Sequence, residues 1–180
     1  MTRSWAIRLL AALAAIGLTM TVANADEGSA TFAAHLTGFH ETTSILTDGT
    51  ANFRATVHGD SVSYTLTFSG TTSGVTMSHL HFAQPGVNGG IFVWLCGNAN
   101  APIPVPAGTP MCSVDGLQTS GSVTGTFTAA NILAVGAQNV SANDLAGALR
   151  IIRAGDAYAN IHTVKFPAGE IRGQVHFGDD

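Results

Sequence analysis

From Ala51 to Phe68 the chain alternates apolar and polar residues with a period of two. Ala51, Phe53, Ala55 and Val57 alternate with Asn52, Arg54, Thr56 and His58; Val62, Tyr64, Leu66 and Phe68 then alternate with Ser61, Ser63, Thr65 and Thr67. A strand places every second side chain on one face, so this spacing predicts two half-buried strands joined at His58-Gly59-Asp60-Ser61, a good hairpin turn. The same reading predicts strands at Ala30 to Leu36, Val75 to Phe82, Ile91 to Leu95, around Val123, Gly125 and Phe127, and at Ala157 to Val164. A last strand alternates Ile171, Gly173, Val175 and Phe177 with Glu170, Arg172, Gln174 and His176. Ile91 to Leu95 is almost wholly apolar and should be covered on both faces.

One helix interrupts the pattern. Ser141 offers an N-cap hydroxyl with Asp144 three residues on, Leu145, Leu149 and Ile152 recur at helical spacing, and Gly155 is a natural stop. A weaker helical turn is expected at Ala129 to Leu133. The fold expected is mainly β: an antiparallel β-sandwich or flattened barrel of about eight strands with one short crossover helix.

The first 25 residues read as a secretory signal peptide. Arg3 and Arg8 lie before an apolar run from Leu9 to Met20, and Ala23-Asn24-Ala25 forms a small-residue cleavage site. That run is well short of the ~20 residues of a membrane-spanning helix. Residues 26–180 are then expected to form a single exported domain, secreted or periplasmic, with no membrane span. Removing Arg3 and Arg8 leaves five basic residues against 11 acidic ones, a net charge of −6 with histidine neutral. With no Lys/Arg cluster, such a chain is a poor ligand for nucleic acid or anionic membranes. Cys96 and Cys112 bracket a stiff stretch containing Pro102, Pro104, Pro106 and Pro110. In an oxidising compartment they are expected to form a disulfide; a pair of thiolate metal ligands is the alternative.

Chemistry is expected at two separated histidine stretches, Ser78-His79-Leu80-His81-Phe82 and Ala159-Asn160-Ile161-His162-Thr163. On a strand His79 and His81 share a face, roughly 6.6 Å apart at Cα, which suits two ligands of one metal. His162, on another strand, is the third candidate. Imidazole suits copper, zinc, iron and nickel, with copper having the highest intrinsic affinity. The alternative is that these histidines line a polar sheet face or make hydrogen bonds only. The other four, His35, His40, His58 and His176, read as surface residues, with His40 and His176 the candidates among them for a fourth position. Glu170 and Arg172 project together from the last strand, where an ion pair within the sheet or pinning a loop is expected for Glu170. Arg172 could instead attract a small anion to a neighbouring metal. There is no Gly-x-Ser-x-Gly elbow, phosphate loop or zinc-protease helix.

Together, Ser78 to Phe82, Val87-Asn88-Gly89-Gly90-Ile91, Ile151-Ile152-Arg153-Ala154-Gly155, Ala157 to Thr163 and Pro167 to Gln174 resemble the CHRD domain, named after the animal protein chordin. The likeness runs from about Ala30 to Phe177. It implies an extracytoplasmic β-sandwich. In chordin the domain belongs to a secreted regulator of growth factors, and bacterial single-domain members look like stand-alone exported proteins. Some members resemble copper-only superoxide dismutases in carrying a histidine copper site. Carried over, the ligands would be His79, His81 and His162, with Arg172 guiding superoxide or another small anion. Many members have a Glu-Val-Pro motif near His40, whereas here Glu41 is followed by Thr42 and Thr43. The resemblance therefore implies an exported copper-binding protein with superoxide dismutase as its candidate activity. The alternatives are a non-catalytic protein-binding module and a copper carrier without turnover. A homodimer through a free sheet edge is a further expectation.

Overall fold

A computed structural model describes residues 29–178, so the expected signal peptide lies outside the described residues. Nine strands and one helix follow in order: β1 (Thr31–Thr37), β2 (Thr50–His58), β3 (Ser61–Ser69), β4 (Val75–Phe82), β5 (Gly90–Gly97), β6 (Gly121–Thr128), α1 (Leu145–Arg153), β7 (Ala157–Thr163), β8 (Ile171–Gln174) and β9 (His176–Phe177). They form one antiparallel sheet in the order β5-β4-β7-β8-β1-β2-β3-β6, with β9 on β1. The sheet curls into a nearly closed barrel, bringing its first and last strands, β5 and β6, together. The Tyr64 hydroxyl donates to the Leu95 carbonyl at 2.5 Å, and Leu133 N–H donates to Phe92 O at 2.9 Å, tying the β5 edge down.

The alternating residues of β2 and β3 behave as their period requires. Phe53, Leu66 and Phe68 point into the barrel and are at most 2% exposed, and the β2–β3 hairpin closes with His58 opposite Ser61. The expected final strand is split at Val175. Its N–H bonds to Ala157 O on β7, whereas the next two residues pair only with β1, so eight expected strands become nine. Strand β5 solves its all-apolar composition with two register shifts against β4, one between Ser78 and His79 and one between Leu80 and His81. These bulges let Phe92, Val93 and Leu95 all join the core while Trp94 faces His79.

The helix starts later than Ser141. Asn143 has φ of 62°, a left-handed conformation that no right-handed helix can include, and Asp144 is the cap, its Oδ1 accepting from Gly147 N–H at 2.7 Å. Leu145, Leu149 and Ile152 bury as expected, and Gly155 ends the helix at φ of 75°. The expected turn after β6 is a 3-10 turn at Ala129–Asn131. Cys96 and Cys112 form a disulfide, joining the end of β5 to the proline-rich loop.

Candidate metal centre

The barrel has a second buried layer, on its outside. Alternation along β4, β7 and β8 sends Leu80, Ala159, Ile161 and Ile171 to the core and leaves His79, His81, Tyr158, Asn160, His162 and Arg172 on the opposite face. The register aligns them, with His81 opposite Tyr158, His79 opposite Asn160, and Asn160 opposite Arg172 on β8. All six are at most 7% exposed, because loops on either side fold over them.

Two of those loops fix the histidine rings. His81 Nδ1–H donates to Gly89 O at 2.9 Å, and His162 Nδ1–H donates to Pro167 O at 3.0 Å. Gly89 is required for this approach, since a Cβ there would lie 1.8 Å from Phe82 O. Both Nε2 atoms therefore present lone pairs to the space they share. His79 Nδ1 lies 3.2 Å from His162 Nε2, and His79 Nε2 is buried with no hydrogen-bond partner. One ligand atom from each of the three rings lies within 4.8 Å of the others, the only such histidine, cysteine or carboxylate group among the described residues.

Burial holds the rings neutral. It pushes His79 down to about 2, helped by the neighbouring His162 and His81, and His162 to about 4 against the opposing pull of the Pro167 carbonyl. His81 is also lowered, chiefly by burial. The charge that would relieve the clustered lone pairs does not come from protons near neutrality. Three neutral imidazoles, one of them with a nitrogen left without a partner, are a donor set that fits a late transition-metal ion.

Aromatic rings wall the centre. Trp94 meets His79 edge to face at 4.2 Å between centroids, and Tyr158 stacks on His81 at 4.6 Å with planes 2° apart. Arg172 covers the Tyr158 ring, its Cζ 3.4 Å from the centroid. It donates to Val87 O at 2.6 Å, Asn88 Oδ1 at 3.2 Å and Gln84 O at 3.4 Å, pinning the loop that presents Gly89. Arg172 thus holds a roof over the histidines and sets its positive charge beside His81.

The other expected residues lie elsewhere. His40 ends a 3-10 turn at Gly38–His40, is exposed and falls outside the histidine group; with His176 it lines a neighbouring cleft of about 760 Å³ that also touches Arg172. His35 and His58 are exposed and bond to Asn52 and Ser63. Glu170 makes no ion pair with Arg172. Its carboxylate accepts from Thr47 Oγ1 at 2.6 Å, Thr72 N–H at 2.7 Å, Thr72 Oγ1 at 2.8 Å and Thr163 Oγ1 at 2.7 Å. Burial alone would raise its pKa, but these bonds outweigh burial and lower it.

Tyr158, Asn160 and Trp94 were not expected as parts of the site. Tyr158 and Asn160 share parity with His162 and could have been found that way; Trp94 could not, because the bulges change which β5 residues face His79. Glu41, expected only as a neighbour of His40, packs against Gly169, and its carboxyl is pushed up to about 7 by burial, against the lowering effect of Arg172.

No curated protein matches the chain, and no solved structure does. The CHRD domain profile matches residues 32–175, a span that contains every strand of the histidine centre and both loops that orient its rings, and the chain belongs to the CHRD-domain family.

Proposed function

We propose that the protein is exported and binds copper through His79, His81 and His162. One observation carries the reading: three buried histidines from two strands bring one ring nitrogen each within 4.8 Å of the others, His81 and His162 turn their Nε2 lone pairs into that space, and His79 Nε2 has no partner. Bound copper supplies one-electron chemistry between its +2 and +1 states. The chain's own part is to hold the rings. Gly89 and Pro167 set the tautomers of His81 and His162 through their carbonyls, and Trp94 and Tyr158 keep bulk water from the ring faces. The disulfide is in keeping with an oxidising compartment.

Superoxide dismutation is the activity the positive charge of Arg172 beside His81 favours, because it draws a small anion towards a protein of net negative charge. A carrier without turnover is the competing reading, favoured by the burial of all three rings. A protein-binding module is the third, favoured by Phe39 and Val87, which are 66% and 48% exposed on the loops beside the centre.

The test is electron paramagnetic resonance of residues 26–180 carrying one equivalent of Cu(II), beside His79→Ala and His162→Ala. A single nitrogen-coordinated signal, altered in both variants, is expected. Heterogeneous copper indifferent to both substitutions would return the histidines to a structural role. Dismutase activity lost in Arg172→Ala with copper retained separates the enzyme from the carrier.

A further inference from the structure

Asn160 lies at the middle of the centre and is 3% exposed. Its carboxamide bridges two imidazoles, Oδ1 standing 3.1 Å from His81 Nε2 and Nδ2 2.8 Å from His162 Nε2. Both rings already use their Nδ1–H on a backbone carbonyl, so both Nε2 atoms are acceptors. The amide NH₂ can serve one of them. Its oxygen then faces the other, acceptor against acceptor. Turning the carboxamide by 180° only moves the conflict to the other ring. No orientation of Asn160 satisfies both histidines while each carries a single ring proton; a positive charge among these atoms, whether a proton on His81 Nε2 or a metal ion, would satisfy the oxygen and the nitrogens together.

We propose that Asn160 is the fourth donor of this centre, giving its amide oxygen to a divalent ion beside the three histidines. The proposal rests on the metal reading above and deepens it. An amide oxygen is a hard donor, well matched to Cu(II) or Zn(II) and poorly matched to soft Cu(I). Asn160 therefore selects the divalent state and fills a position the histidines leave open. Its backbone suits the task, because β7 lies between β4 and β8 and Asn160 is held opposite His79 on one side and Arg172 on the other.

The experiment compares wild type, Asn160→Ala and Asn160→Asp by competition titration with Cu(II), Zn(II) and Cu(I), with melting of each metal-free form as the folding control. Aspartate keeps an oxygen but loses the NH₂ donor. Asn160→Ala is expected to weaken Cu(II) and Zn(II) binding by about 10- to 100-fold while changing Cu(I) affinity by less than about threefold. Asn160→Asp is expected to bind the divalent ions at least as tightly as wild type. In wild type, Zn(II) should move the ¹³C signal of the Asn160 side-chain carbonyl downfield at the stoichiometry that moves the imidazole signals.

If Asn160→Asp is weakened as much as Asn160→Ala, Asn160 is only a hydrogen-bond donor and the proposal falls. An Asn160 carbonyl unmoved at Zn(II) saturation overturns it even if neither variant folds. Wild-type imidazole signals that respond to none of the three ions overturn the metal reading itself, a result distinct from both.

Discussion

His79 Nδ1 and His162 Nε2 stand 3.2 Å apart, brought together from strands 83 residues apart in sequence. Their contact depends on β4 and β7 pairing in one register, since a one-residue slip would send one of the rings to the barrel core. It also places two titratable groups where protonation of either disfavours protonation of the other.

The metal-free protein should therefore lose stability on mild acidification. His79, His81 and His162 have folded pKa values below 6.5, so below that pH the unfolded chain takes up protons that the folded one refuses. Glu41 acts in the opposite sense: raised to about 7, it takes a proton on folding between pH 4.5 and 7. His79 and His162 together outweigh the one carboxyl, with His81 acting in the same direction as they do, so the net slope should be at least about 1 kcal/mol per pH unit near pH 5.5. Urea unfolding between pH 7.5 and 5 measures it; a flat or rising profile would contradict neutral buried rings.

Copper should stabilise the fold. At a free Cu(II) concentration of 100 times the dissociation constant, linkage gives about 2.7 kcal/mol, removable by a chelator. Calorimetric melting with and without Cu(II) checks this, and His79→Ala should abolish most of the difference. An equal gain in that variant would place the metal elsewhere.

Glu170→Ala should cost roughly 3 kcal/mol, because it leaves the Thr72 amide and the hydroxyls of Thr47, Thr72 and Thr163 without their acceptor. The substitution also frees the turn whose Pro167 carbonyl orients His162, so copper affinity should fall with it. As the Glu170 pKa is lowered by folding, its contribution is present above about 4.5 and lost as pH falls through the folded value. Denaturant titration of the variant gives the first number. Wild-type stability would mean that the four contacts contribute nothing.

Arg172→Lys should loosen the loop from Gln84 to Gly89. An ammonium cannot reproduce the planar stack on Tyr158 together with donation to Val87, Asn88 and Gln84. Hydrogen exchange of the loop amides should accelerate by at least about tenfold. Unchanged exchange would leave Arg172 with its charge as its only role.

Replacing Cys96 and Cys112 together by serine should lower stability by about 3 kcal/mol and leave the Cu(II) spectrum unchanged. A changed spectrum would implicate sulfur in the centre.

Much of this was legible in the chain because alternation is a local property. The period-two runs of β2 and β3, the hairpin turn after His58, the shared face of His79 and His81 and the pairing of two cysteines in an oxidising context each follow from neighbours in sequence. The second histidine stretch offered His162 as the third candidate, and the CHRD motifs carried the same three ligands over. What lay beyond the sequence depends on register and on loops meeting strands from afar. Two bulges chose Trp94 rather than Leu95 to face His79; a left-handed Asn143 moved the helix cap to Asp144; threonines from three separate segments, rather than Arg172, satisfied Glu170. The orphaned His79 nitrogen and the conflict at Asn160 belong to this second class. Parity assigns a side chain to a face, whereas the lone pairs it meets there are set by backbone carbonyls brought in through barrel closure and loop packing.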